Sequence, residues 1–99
     1  MIHVYYEVTI TLSDGKTQDE WREWMLKEHL PEVMRAGAVT ARLIKLDNPP
    51  LTYLAQYTFF SRAAFGRYVS EHQPRLRQEA LSRFPPPLTT YSRRTGAVL

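Results

Sequence analysis

From Ile2 to Leu12 the chain alternates strictly: Ile2, Val4, Tyr6, Val8, Ile10 and Leu12 are separated by His3, Tyr5, Glu7, Thr9 and Thr11. A period of two over eleven residues predicts a strand with one dry face. Ser13-Asp14-Gly15-Lys16 reads as a turn, and Thr17-Gln18-Asp19-Glu20 reads as a capping box that opens a helix. Trp21, Trp24 and Met25 form one stripe of that helix. Pro31 is expected to break or kink it, because the ring clashes with the preceding turn. Leu30, Val33 and Met34 lie off the first stripe and predict a separate short turn, closed by Gly37 as a C-cap. A second strand follows over about 38–47, then the turn Asn48-Pro49-Pro50, then an aromatic and β-branched third strand over 52–60. Ser61 is placed to cap a second helix carrying Ala64, Phe65, Tyr68 and Val69. Pro74 is expected to interrupt it before Leu76, Ala80, Leu81 and Phe84 resume the helical spacing. Pro85-Pro86-Pro87 ends the helix, and 88–98 reads as a fourth strand.

The order is therefore βαβ, turn, βαβ. The two halves share a short repeat: Glu28-His29-Leu30-Pro31-Glu32-Val33 and Glu71-His72-Gln73-Pro74-Arg75-Leu76 both read E-H-x-P-x-apolar, 43 residues apart. Paired βαβ halves with matching helices predict one α+β domain over 1–99. Its fold is ferredoxin-like βαββαβ, a four-stranded antiparallel sheet with both helices on one face.

The other face would carry Tyr5, Glu7, Thr9, Arg42, Ile44, Leu54 and Gln56, which is too apolar for open water and too polar for a monomer core. Such a patch predicts a homodimer, two sheets packed face to face about a two-fold axis. Glu7 would need a cationic partner there, and Arg93, Arg94 and Arg42 are the candidates.

Composition narrows the class of function. The 99 residues include no cysteine, which excludes disulfides, thiolate metal sites and a cysteine nucleophile. The start of the chain has no basic region followed by an apolar one, and no apolar run approaches the ~20 residues of a membrane span, so a cytoplasmic protein is expected. Residues 1–50 hold six Lys/Arg against eight Asp/Glu, and residues 51–99 hold seven Arg against two Glu, so the net +3 is concentrated in the second half. A basic half attracts anions or nucleic acid, or simply keeps two helix faces solvated. RNA-recognition domains share this element order, but Thr52-Tyr53-Leu54-Ala55-Gln56-Tyr57 lacks their basic-Gly-aromatic third-strand start, and nucleic-acid binding is not expected.

Taken together, Trp21-x-x-Trp24-Met25-x-x-Glu28-His29-x-Pro31-Glu32, Val39-x-Ala41-Arg42-Leu43, Gln56-Tyr57, His72-x-Pro74-Arg75-Leu76-Arg77 and Arg83-Phe84 resemble a bacterial family of unknown function. That family is placed in the dimeric α/β-barrel superfamily, which includes cofactor-free monooxygenases, muconolactone isomerases and haem-binding or haem-degrading proteins. The resemblance spans essentially the whole chain. It implies fold and dimerisation; it assigns no reaction.

His29 and His72 are the candidates for chemistry, since imidazole serves as a base or ligand near neutral pH. The competing structural reading makes both of them helix-end residues, favoured by the dipole and bonding orphan carbonyls. Tyr6, Tyr57 and Trp24 fall under the helices, as plain core or as walls and polar handles of a pocket for a flat molecule. Arg42 is the candidate anion clamp. No metal-ligand spacing, Walker-type, G-x-S-x-G or G-x-G-x-x-G pattern occurs, and no metal or cofactor is expected. Two functions stand against each other: a small-molecule protein with His29 as base or anchor, and a non-catalytic dimeric structural or regulatory module.

Overall fold

A computed structural model describes residues 2–99. Four strands, β1 (Val4–Leu12), β2 (Ala38–Lys45), β3 (Thr52–Phe59) and β4 (Thr89–Ala97), form one antiparallel sheet in the order β2-β3-β1-β4. Two helices connect the halves. Helix α1 runs through Gln18–Trp24, Met25–His29 and Leu30–Arg35; helix α2 runs through Arg62–Arg67, Tyr68–His72 and Gln73–Arg83. This is the expected βαββαβ fold.

Register fixes which residues face the helices. Tyr6 lies opposite Tyr57, Val8 opposite Ala55 and Ile10 opposite Tyr53, and all six are buried. Trp21, Trp24, Val33, Tyr68, Leu76 and Phe84 cover them from the helices. Phe59 is fully buried and meets Phe65 edge-on at 5.1 Å between ring centroids. Burial of one such ring stabilises the fold by roughly 1.5–3 kcal/mol. The indole N–H of Trp21 is sealed in this layer with no acceptor among the described residues.

The prolines do not interrupt the helices. In each helix the five residues before the X-Pro pair form a π-turn, Met25–His29 and Tyr68–His72, and the chain continues as α-helix with proline in its first turn. The bonds closing these turns run from Leu30 N–H to the Met25 carbonyl and from Gln73 N–H to the Tyr68 carbonyl. One extra residue per turn accommodates a residue that has no N–H and whose ring would strike an α-helical carbonyl. Leu30 and Val33 are thereby returned to the buried face, so no separate turn forms.

The helix starts also differ from expectation. Thr17 makes no side-chain capping bond and has helical backbone angles, so the capping box is not formed; Asp14 instead accepts from the Lys16 N–H at 2.9 Å. Ser61 does cap α2, accepting from the Ala64 N–H at 3.1 Å. Gly37 closes α1 with φ +124°, a conformation suited to glycine, and donates to the Met34 carbonyl.

A row of polar groups at one level of the open face links all four strands. Arg42 Nε donates to Gln56 Oε1 at 2.7 Å, Gln56 Nε2 reaches Glu7 Oε1 at 3.5 Å, and Tyr5 Oη and Arg94 Nε both donate to Glu7. Glu7 is 2% exposed. Burial alone would raise its pKa; the bonds from Tyr5, Arg94 and Gln56 outweigh that and hold it below the usual carboxylate range. The Tyr5 hydroxyl is pushed up to about 12 by burial and by its bond to this carboxylate. Of the three cations considered for Glu7, Arg94 pairs with it directly and Arg42 acts through Gln56. Arg93 does not take part, because neighbouring strand residues point to opposite faces.

Candidate functional site: a cleft between helices and sheet

Small side chains leave the core incompletely filled. Val8 and Ala55 on adjacent strands face Ala80 on α2, and the space between them is a cavity of about 50 Å³. Larger groups wall it: Trp24 and Met25 from α1, Tyr68 and Leu76 from α2, and Tyr6 and Tyr57 from the sheet. The lining is completed by Tyr91 and Arg93 from the edge strand β4 and Arg77 from α2, both arginine side chains being exposed.

His29 enters from α1. The π-turn explains how: in an α-helix residues five apart are rotated by roughly 140°, whereas the i+5 closure of a π-turn brings them into line. Trp24 and His29 accordingly stack, with centroids 5.0 Å apart and planes 29° apart. Phe84 also meets Trp24, with ring centroids 5.4 Å apart. The imidazole forms no capping bond and lies mid-helix, so the helix-end reading does not describe it. Burial lowers its pKa to about 4 against the opposing pull of the Glu32 carboxylate, leaving a neutral ring at pH 7. On its outer side His29 borders a polar groove between the helices, flanked by Glu28, Glu32, Arg35 and Glu79. The ring is thus part of the wall between an apolar interior and a charged surface.

The polar handles of the cleft are tyrosines. The Tyr6 hydroxyl accepts two bonds, from Gln73 Nε2 at 2.8 Å and from Arg93 Nε at 3.1 Å. The Tyr6 ring stacks on Tyr57 at 5.7 Å and lies 6.1 Å from Tyr68. Burial pushes the Tyr57 and Tyr68 hydroxyls well above their ordinary pKa, so both remain protonated.

Four of the residues nominated from sequence, His29, Tyr57, Trp24 and Tyr6, therefore meet at one cleft. Two do not. His72 lies outside the cleft lining, and Arg42 is on the opposite face of the sheet, held by Gln56. Gln73, Tyr68, Arg77 and Arg93 were not nominated as site residues. Strand parity separates Arg93 from Arg94, because Arg94 lies opposite Glu7 on the open face and Arg93 opposite Val8 on the helix face. Gln73 is placed by the second π-turn, which coincides with the second E-H-x-P repeat; the inward reach of its side chain follows only from the folded backbone. Among the described residues no group of three or more His, Cys, Asp or Glu side chains is arranged to hold a metal ion. No helix among them is long and apolar enough to cross a membrane.

Comparison with solved structures supports the fold. A dimeric ferredoxin-like protein from an uncultured marine organism superposes with a TM-score of 0.72 at 11% identity, over 100% of this chain and 97% of that one. SnoaB, a cofactor-independent oxygenase from Streptomyces nogalater, matches with a TM-score of 0.72 at 16% identity, over 100% and 95%. HapK from Hahella chejuensis gives 0.70 at 18%, over 97% and 92%. At such identities the likeness concerns the fold alone. No curated protein sequence matches the chain. A family model described as a domain of unknown function, DUF4286, matches residues 3–96, and the protein belongs to that family.

Proposed function

We propose that the protein binds or transforms a small hydrophobic or aromatic metabolite in the cleft beside His29, and does so as a homodimer joined through the open sheet face. One observation carries this reading: the cavity left by Val8, Ala55 and Ala80 is walled by Tyr6, Trp24 and Tyr57 and reached by a neutral imidazole. Apolar walls with a few convergent polar groups are the usual make-up of a small-molecule site. In the transforming version, cofactor-free oxygenation or isomerisation, His29 accepts a hydrogen bond or proton from the substrate while Trp24 and Tyr57 flank it. That SnoaB, a protein of similar fold, is a cofactor-independent oxygenase is in keeping with that version. For the dimer, the support is the half-apolar face around the Glu7 row and the likeness of the fold to the dimeric ferredoxin-like protein from the marine organism.

Thermal-shift screening of small aromatic compounds tests the site, since a ligand bound only by the native state raises its stability. We expect hits with the native chain that His29→Phe, which fills the space beside Trp24, weakens. A screen without hits, or hits indifferent to His29→Phe, favours the non-catalytic dimeric module. Sedimentation across a concentration series tests the dimer; a monomer at every concentration refutes it.

A further inference from the structure

We propose that the cleft selects an anion, taking the phenolate or enolate form of a planar conjugated ligand with its oxygen at Tyr6, Arg93 and Arg77. The inference rests on the small-molecule reading above and adds the charge of the ligand to it.

The Tyr6 hydroxyl carries one proton and two lone pairs. Gln73 and Arg93 donate to the oxygen, and no side chain among the described residues accepts the proton. It remains free for a ligand oxygen. Tyr57 and Tyr68, whose hydroxyls stay protonated, add donors to the same wall. The cations are unbalanced as well. Arg35, Arg75, Arg83 and Arg94 each pair with a carboxylate; Arg77 and Arg93, like Arg22, Arg42, Arg62 and Arg67, pair with none among the described residues, and of all the arginines these two line the cleft. Among the described residues no Asp or Glu lines the cleft. Arg93 rests over the Tyr91 ring at 5.6 Å and has donated only its Nε–H, leaving four guanidinium N–H groups available.

Size points the same way. A cavity of about 150 Å³ admits benzene, and this one is about 50 Å³. A ring therefore enters only by displacing lining side chains, and the exposed ones are Arg77 and Arg93. Their flexible stems let a displaced guanidinium still reach an oxygen at the exposed end of the ligand. A charged oxygen at that end is then paired, while a neutral ligand gains nothing from the displacement.

Two compounds of similar shape test the inference: 4-nitrophenol, whose phenolate is coloured and whose phenol is not, and nitrobenzene, which carries no ionisable group. Binding of nitrobenzene is read by quenching of tryptophan fluorescence. We expect the native protein to shift bound 4-nitrophenol toward its coloured form. Arg93→Met, at an exposed position, should weaken phenolate binding about tenfold, the size of a lost charge-assisted bond, and should not weaken nitrobenzene binding. Tyr6→Phe should reduce the colour shift in the same direction. Binding of 4-nitrophenol in its colourless form, or phenolate affinity indifferent to Arg93→Met, overturns the anion inference while nitrobenzene binding keeps the cleft as a ligand site. Binding of neither compound removes both.

Discussion

His29 and His72 occupy the same position in the two βαβ halves, each closing a π-turn two residues before a proline. Their surroundings differ. Five residues before His29 stands Trp24, buried and stacked against it; five residues before His72 stands Arg67, exposed. In the first half the histidine lines the cleft. In the second it is the next residue, Gln73, which reaches inward to Tyr6, whereas its counterpart Leu30 is plain core. The repeat thus encodes a backbone device, a widened turn that accommodates proline, and leaves the chemistry to the residues placed around it.

Truncation should separate the halves most. Trp24→Ala removes a buried indole that supports both His29 and Phe84 and should cost about 3–5 kcal/mol in denaturant unfolding. Arg67→Ala at the equivalent, exposed position should stay within about 0.5 kcal/mol. Comparable losses at the two positions would erase the asymmetry.

Acid titration gives the next contrast. His29 has a folded pKa of about 4 against an ordinary 6.5, so below pH 6.5 the unfolded chain binds a proton that the folded one refuses. Stability attributable to His29 is present above pH 6.5 and is lost as pH falls toward 4, by up to about 3 kcal/mol. His29→Phe should flatten that part of the curve measured by unfolding at a series of pH values. An unchanged slope would mean that the imidazole is solvated.

A smaller difference lies at the helix starts. Ser61→Ala should cost about 1 kcal/mol, the value of a lost N-cap, while Thr17→Ala should cost almost nothing, since Thr17 makes no such bond. Equal effects would show that the capping box operates in solution.

Much of the fold is legible in the chain because period-two alternation and turn chemistry are local signals. β1 betrays its dry face residue by residue, and Gly37 and Ser61 do what their types suggest. The helices were harder. Proline predicts a break from the i−4 clash alone, and only the folded context shows that one added residue relieves it while returning Leu30 and Val33 to the core. The site was half legible for the same reason. Tyr6, Tyr57 and Trp24 follow from stripe and parity, but His29 depends on π-turn rotation, and Arg93 on a register that exists only once β4 is paired with β1. Arg42 lies on the open face, where parity puts it, and so does not meet the cleft.

The polar row across the open face also works as an alignment pin. Arg42 lies opposite Gln56, Gln56 opposite Glu7 and Glu7 opposite Arg94, so the three strand junctions are keyed at a single level. A slip of one residue between β1 and either neighbour turns the donor there to the far side and takes a bond from a carboxylate shielded from water. Apolar alternation alone tolerates slips of two; this row penalises them as well, which gives a small sheet with two free edges a single way to assemble.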